Sequence, residues 1–340
     1  MKAAVLETYH KPLVVRDVDL PQPGRGEVTV EVKACGLCLT DVHISEGKIP
    51  TVSLPLIPGH EFAGVVSRLG DGVTDWKVGE RVTVCVDVNC GHCEFCLRGE
   101  TNRCARLKRI GFERNGGMAE QVNVPADNLE RIADGVTFEK AAVIPDAVAS
   151  MYRGLKTVAG VGVGTKVAIL GVGGLGIQGV KIARMLGARV TCTDLDDRKL
   201  ERARSFGAEH VLNPRRESFL EASRLRLGSY DVVVDNVGRK ETVFEAVQAC
   251  RNGGKVVAMG YVDPALEIPS YEIVIKEKQV VGSRALTRAE FREVVSLVNS
   301  GQLDPDIGEL IPIHKINEAL ENLRNGRYLT RSVLTLPFGT

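Results

Sequence analysis

Four cysteines, Cys90, Cys93, Cys96 and Cys104, fall within the stretch CGHCEFCLRGETNRC, and no other feature constrains the fold as strongly. The stretch also holds Gly91, Gly99 and several charged side chains, too little apolar material to pack a lobe without a staple. Cys-x-x-Cys spacing suits metal chelation better than cross-linking. Thiolates are the natural ligands of tetrahedral zinc, and a shell of four leaves no open position. The knot therefore reads as structural zinc. A disulfide pair is one alternative and a nucleic-acid-binding zinc ribbon another. A net charge of +1 and the lack of a basic face around the knot oppose the second. The chemistry must reside elsewhere in the chain.

At 340 residues the chain exceeds what one core usually supports, so two domains are expected. A hydrophobic fraction of 44% with 26% charged residues is ordinary for a folded globular protein. The opening MKAAVLETYH lacks a basic segment followed by an apolar run, so no secretory leader is expected. No apolar stretch approaches the ~20 residues that span a bilayer. Nine cysteines, many in metal-like spacing, fit a reducing compartment, which makes the cytoplasm the expected location. Neither a nucleic acid nor a membrane is expected as a partner.

The two halves have different rhythms. Residues 1–150 carry short strand-like runs (Val28–Val32, Glu61–Val66, Arg81–Val86) broken by Gly and Pro, a β-rich pattern. From Thr165 strands alternate with helices. The strand candidates are Lys166–Leu170, Arg189–Thr193, His210–Leu212, Asp231–Asp235, Lys255–Met259 and Gln279–Ser283. Helical patterns lie between most of them: Gly176–Leu186, Asp197–Phe206, Arg215–Leu227 and Lys240–Cys250. That alternation predicts an α/β fold with a doubly wound parallel sheet. A helix over Ala289–Ser300 follows, and Ile311 and Val333–Leu336 are expected to return to the first domain. The expected domains are 1–150 with a zinc lobe at about 88–106, 151–286, and a returning segment 287–340.

Gly171-Val-Gly173-Gly174-Leu175-Gly176 follows a predicted strand and opens a predicted helix. A lone GxGxxG is weak, but here the strand, the helix and a second strand ending in an acid are all in place. Gly171 permits the tight turn, Gly173 lets the backbone approach a pyrophosphate, and Gly176 allows close helix packing. The helix start offers free N–H groups to the phosphates. Asp194 ends the second strand, where a carboxylate binds both ribose hydroxyls and repels a 2′-phosphate. NAD is thus expected over NADP, although Arg198 and Lys199 lie close by, and Lys199 joins the expected cofactor-binding set.

A second concentration of metal-competent side chains spans Cys35-Gly-Leu-Cys38-Leu-Thr40-Asp41-Val-His43 and Gly59-His60-Glu61-Phe62-Ala-Gly64. Alone, Cys35 and Cys38 read as a redox pair and His60 as a packed histidine. Beside a dinucleotide fold the reading changes. A hydride leaving an alcohol carbon requires the hydroxyl proton to go first, and zinc with an open position stabilises the alkoxide. A hydroxyl such as Thr40 could then pass the proton to the cofactor ribose and on to His43.

In these motifs the chain resembles the zinc-containing medium-chain alcohol dehydrogenases. The resemblance runs from near Lys2 to the C-terminus and rests on CGLCLTDVH, PGHEFAG, CGHCEFCLRGETNRC, GVGGLG and Asp194, in that order. It implies a GroES-like β-rich catalytic domain, a Rossmann nucleotide-binding domain and an active site in the cleft between them. It implies two zinc ions per chain, one catalytic and one structural, with NAD as cofactor. Cys38 and His60 match catalytic zinc ligands, Glu61 an acid beside the zinc, and Asp41 the carboxylate that orients the zinc-bound imidazole. Thr40 and His43 match the proton relay. Cys35 matches no ligand and is expected to be buried. Homotetramers, sometimes dimers, built through the nucleotide-domain sheet are implied as well.

The chain departs from the pattern twice. Many relatives place a second cysteine ligand where this chain reads Ala141-Ala-Val-Ile-Pro145-Asp146-Ala147. Asp146 is the expected replacement; the alternative makes it the cap of a helix over Val148–Lys156. Leu39 replaces a basic residue that touches the pyrophosphate in some relatives. Arg331 aligns with a C-terminal arginine that reaches the same group. The expectation is reversible oxidation of a primary or secondary alcohol to an aldehyde or ketone. A polyol, sugar or hydroxy-ring substrate is the alternative that Asp146 motivates, and a non-catalytic zinc- and NAD-binding protein is the alternative of another class. Met151, Tyr152, Phe112 and Arg284 are possible substrate-lining residues.

Overall fold

The computed structural model describes residues 1–338 and divides the chain into two units, Met1–Ala149 with Leu286–Thr340, and Ser150–Ala285. The first unit is built on a seven-stranded sheet. Its spine is the strand Glu27–Gly36, whose alternating apolar residues Val28, Val30, Val32 and Ala34 are all buried. Phe62–Leu69 pairs with it antiparallel, with register shifts beside Val32/Ala34 that bend the strand. Gly64 sits at that bend because a Cβ there would stand 2.0 Å from the Glu31 carbonyl oxygen. Arg81–Val84, Leu129–Arg131 and Gln121–Pro125 complete the near side. Leu310–Pro312 and Val333–Thr335 close the far side, with Val333–Thr335 pairing antiparallel to Glu27–Gly36. The cysteine lobe leaves and rejoins this body through paired strands Asp87–Val88 and Lys108–Arg109.

The second unit holds a six-stranded sheet, parallel throughout, in the order His210–Leu212, Arg189–Thr193, Lys166–Leu170, Tyr230–Asp235, Cys250–Ala258, Gln279–Gly282. In sequence rank this is 3-2-1-4-5-6, the arrangement in which dinucleotides bind where strand order reverses. The register sets Leu170 beside both Thr193 and Asp235, so the loops after these three strands open at one edge. Three of the expected strands, Lys166–Leu170, Arg189–Thr193 and His210–Leu212, have the predicted bounds.

One predicted helix is shorter. The expected Arg215–Leu227 is instead Phe219–Ala222 followed by a wider turn, Ser223–Leu227. Asn213 accepts a hydrogen bond from the Arg215 backbone at 3.0 Å, which holds a turn there. Ser218 then caps the helix by accepting from Glu221 N. No helix among the described residues is long and apolar enough to cross a membrane.

Candidate active site

The four lobe cysteines converge. Their sulfurs lie within 4.8 Å of one another, with Cys93–Cys96 at 3.5 Å, Cys93–Cys104 at 3.9 Å and Cys90–Cys96 at 4.0 Å. Four sulfurs each about 2.3 Å from a central ion would stand about 3.8 Å apart, whereas a disulfide needs about 2.05 Å. The backbone N–H groups of Cys90 and Arg106 each donate to Cys104 Sγ at 3.3 Å. N–H donors at Cys96 and Ala105 draw the Cys93 thiol down to about 6, while burial and Cys93 push Cys96 up to about 12. Neighbouring groups favour the thiolate at Cys93 and the thiol at Cys96, and a central cation would favour the thiolate at all four. The donor set fits zinc.

The second cluster forms where the end of Glu27–Gly36, the helix Leu39–Ser45, the loop before Phe62–Leu69 and the turn Ile144–Val148 meet. Ligand atoms of Cys38, His60, Glu61 and Asp146 lie within 4.8 Å of one another. Cys38 Sγ is 3.5 Å from Asp146 Oδ2, and His60 Nε2 is 3.8 Å from the same oxygen. Asp41 does two jobs here. Its Oδ2 accepts from the Cys38 backbone N–H at 3.0 Å, capping the helix, and its Oδ1 stands 3.3 Å from His60 Nδ1. That contact leaves Nε2 facing the cluster.

Asp146 is not a helix cap, contrary to the alternative reading. It lies inside the π-helical turn Ile144–Val148, and that wide turn carries its carboxylate to Cys38. Arg331, expected at a pyrophosphate, lies against the cluster of Cys38, His60, Glu61 and Asp146. Its Nη2 lies 3.2 Å from Glu61 Oε1 and 3.3 Å from Asp146 Oδ2, and its Nη1 donates to the Leu37 carbonyl at 3.1 Å. Glu61 is fully buried, and neither of its carboxylate oxygens accepts a hydrogen bond. Gly36 makes room for it, since a Cβ there would stand 2.4 Å from Glu61 Oε2.

The electrostatics suit a cation. Burial works against protonation of His60, yet Asp41, Asp146 and Cys38 together hold its pKa well above the ordinary value. Burial likewise opposes ionisation of Asp146, but the neighbouring His60 and Arg331 keep it far below the usual carboxylate range. Glu61 is raised by burial despite Arg331. Both shifts favour the protonated forms of His60 and Glu61, and a divalent cation offers the positive charge those protons would supply. Thr40 Oγ1 lies 3.4 Å from Cys38 Sγ on the same helix as His43. Burial and Lys48 lower the His43 pKa, so its ring is neutral near pH 7. Cys35 is buried and its thiol is raised by desolvation and Asp41, so it stays protonated.

In the second unit Gly171 takes φ +82°, and a Cβ on Gly176 would stand 2.0 Å from the Gly171 carbonyl oxygen. Nothing lies within 4 Å of the position a Gly173 Cβ would occupy, which leaves that backbone approachable. Gly174 and Leu175 form the turn before the helix Gly176–Met185. Asp194 accepts from Val172 N and Asp196 N, both at 3.0 Å, so the carboxylate expected to bind ribose is fixed to the glycine loop itself. Lys199 follows on the helix Asp197–Ser205, and Arg198 is tied to Asp196 at 2.7 Å. Two residues escaped the sequence reading. Asn236 donates to the Gly171 carbonyl at 3.1 Å, and Asp235 accepts from Val237 N, Gly238 N and Thr242 Oγ1. The signal was the Asp235-Asn-Val-Gly238 run closing the fourth strand.

Comparison with known proteins agrees with this chemistry. The family described as "Alcohol dehydrogenase GroES-like domain" matches residues 24–134, and "Zinc-binding dehydrogenase" matches residues 174–300. An alcohol dehydrogenase of Geobacillus stearothermophilus is 38% identical over 98% of this chain and 99% of its own length. L-galactonate-5-dehydrogenase of Escherichia coli is 31% identical over 96% of each chain. A solved NAD-dependent alcohol dehydrogenase superposes with a TM-score of 0.93 at 30% identity, covering 99% of this chain and 100% of that one.

Proposed function

Because the chain belongs to the zinc-binding alcohol dehydrogenase family, we propose that it oxidises a primary or secondary alcohol reversibly to an aldehyde or ketone with NAD. The convergence of Cys38, His60, Glu61 and Asp146 on one point carries this reading. Cys38, His60 and Asp146 would hold a catalytic zinc, which when bound supplies Lewis acidity toward an alcohol oxygen. Asp41 fixes the His60 ring, and Arg331 balances the two carboxylates in the buried pocket. Thr40 takes the hydroxyl proton and His43, held neutral by its surroundings, receives it at the surface side of the helix. Gly171–Gly176 and Asp194 bind the pyrophosphate and adenosine ribose of NAD.

The carboxylate at Asp146 supports a second reading, a polyol or sugar-acid substrate. A relative 31% identical is a galactonate dehydrogenase, so the fold accommodates such substrates. A steady-state scan of short alcohols against sorbitol-like polyols separates the two. No turnover of simple alcohols would overturn the first reading.

The chain also acts as a homo-oligomer in this proposal. Among the described residues Gln279–Gly282 is an edge strand paired on one side, and Tyr271, Val274 and Ile275, shortly before it in the chain, are well exposed. A second copy joining at this edge would cover both. Light scattering of a Val274→Asp variant tests it, with a smaller particle expected.

A further inference from the structure

The loop that follows the cysteine lobe is pressed onto the backbone just ahead of His60. Gly116 N donates to Ile57 O, Gly117 N to Gly59 O and Met118 N to Pro58 O, at 2.8–3.0 Å. Gly111 takes φ +82°, and a Cβ there would lie 2.7 Å from the Gly59 carbonyl oxygen. Only glycine lets the next residue, Phe112, reach inward. The Phe112 ring is nearly buried and lies 5.1 Å from the His60 imidazole at 54°, within the range of favourable aromatic pairs.

Phe112 is itself held from outside. The Arg109 guanidinium sits 3.9 Å from the Phe112 ring centroid. Arg109 in turn forms a bidentate pair with Glu113, at 2.6 Å and 3.2 Å, and donates to Thr51 Oγ1 at 2.8 Å. Thr51 Oγ1 donates to Glu113 Oε1 at 2.6 Å, which closes the ring of contacts. Both charged side chains are mostly shielded, so the clip is stronger than a typical surface ion pair.

We infer that Phe112 is a positioning residue for His60, clamped in place by Arg109, Glu113 and Thr51. Asp41 draws the imidazole through Nδ1 by an ion contact at 3.3 Å, and Phe112 restrains the ring against tilting. Both constraints are needed to keep Nε2 aimed at Cys38 and Asp146. This role rests on the metal-site reading above, in which His60 is a zinc ligand.

The test uses the full chain without cofactor. Zinc is titrated out with a chromogenic chelator, and the labile site is refilled with cobalt for its thiolate-to-metal absorption. Phe112→Ala should weaken labile zinc binding about tenfold and alter the cobalt spectrum, leaving the tightly held ion unchanged. Phe112→Tyr, which keeps the ring, should restore both. Arg109→Met, which leaves the ring in place but loosens it, should weaken zinc severalfold and serves if Phe112→Ala does not fold. Folded variants whose labile zinc affinity stays within about twofold of the wild type, with an unchanged cobalt spectrum, overturn the clamp. A wild-type chain that holds only one zinc would refute the metal reading itself, and the clamp with it.

Discussion

Arg331 and Glu61 face each other at 3.2 Å with both side chains almost completely buried, 4% and 0% exposed. They lie 270 positions apart in the chain, and strand pairing of Val333 with Gly36 brings them together. A buried arginine of this kind is costly to remove, because Asp146, 3.3 Å from the same guanidinium and held ionised, keeps an uncompensated charge. In chain stripped of its labile metal, Arg331→Met should destabilise the first unit by about 3–5 kcal/mol, read as the shift of the first urea transition. Adding Asp146→Asn should recover part of that loss. Equal stability in the single and double variants would show that Arg331 and Asp146 carry no charge balance.

The second prediction concerns cofactor choice. Asp194 is tied by backbone donors at Val172 and Asp196, which holds its carboxylate beside the glycine loop where the proposed function places the adenosine ribose. Asp194→Asn keeps the shape and removes the charge. The KM for NAD should rise about tenfold with the loss of charge-assisted hydrogen bonds, and the KM for NADP should fall. Unchanged selectivity would mean that another residue decides it.

A pH dependence follows from Glu272. Burial would raise its pKa, but hydrogen bonds from Lys276 and Lys278 lower it from 4.5 to about 2, with Lys278 at 2.6 Å. A carboxylate depressed in the folded state stabilises fully above its unfolded pKa and loses that contribution as pH falls toward the folded one. Glu272→Gln should therefore lower the Tm at pH 7, and the gap to wild type should narrow as pH falls below about 4.5. A gap that stays constant on acidification would contradict the assignment.

The parts of this molecule that the sequence disclosed are those governed by local pattern. Buried parallel strands such as Arg189–Thr193 announce themselves as apolar runs, and Gly171–Gly176 needs glycine for reasons confined to six residues. Cys38, His60 and Asp146 were identifiable as candidate ligands through the family resemblance, and the structure brings their ligand atoms within 4.8 Å of one another. The position of Arg331 was not, since a surface arginine and a buried one read alike until the closing strand is paired. Phe112 was visible only as a possible substrate-lining residue, because its contact with His60 depends on Gly111 and on the close approach of two loops. The Arg215–Leu227 helix was overextended because its amphipathic spacing continued into a polar turn that Asn213 holds by hydrogen bonding.

The most direct test is a zinc add-back. Chain treated with a chelator should keep one zinc per molecule, in the cysteine lobe, and should show no alcohol-dependent reduction of NAD. Activity should return in proportion as one further equivalent binds, and Cys38→Ala should bind NAD normally but neither take up that equivalent nor recover. Full activity with the lobe zinc alone, or turnover in Cys38→Ala, would contradict the account.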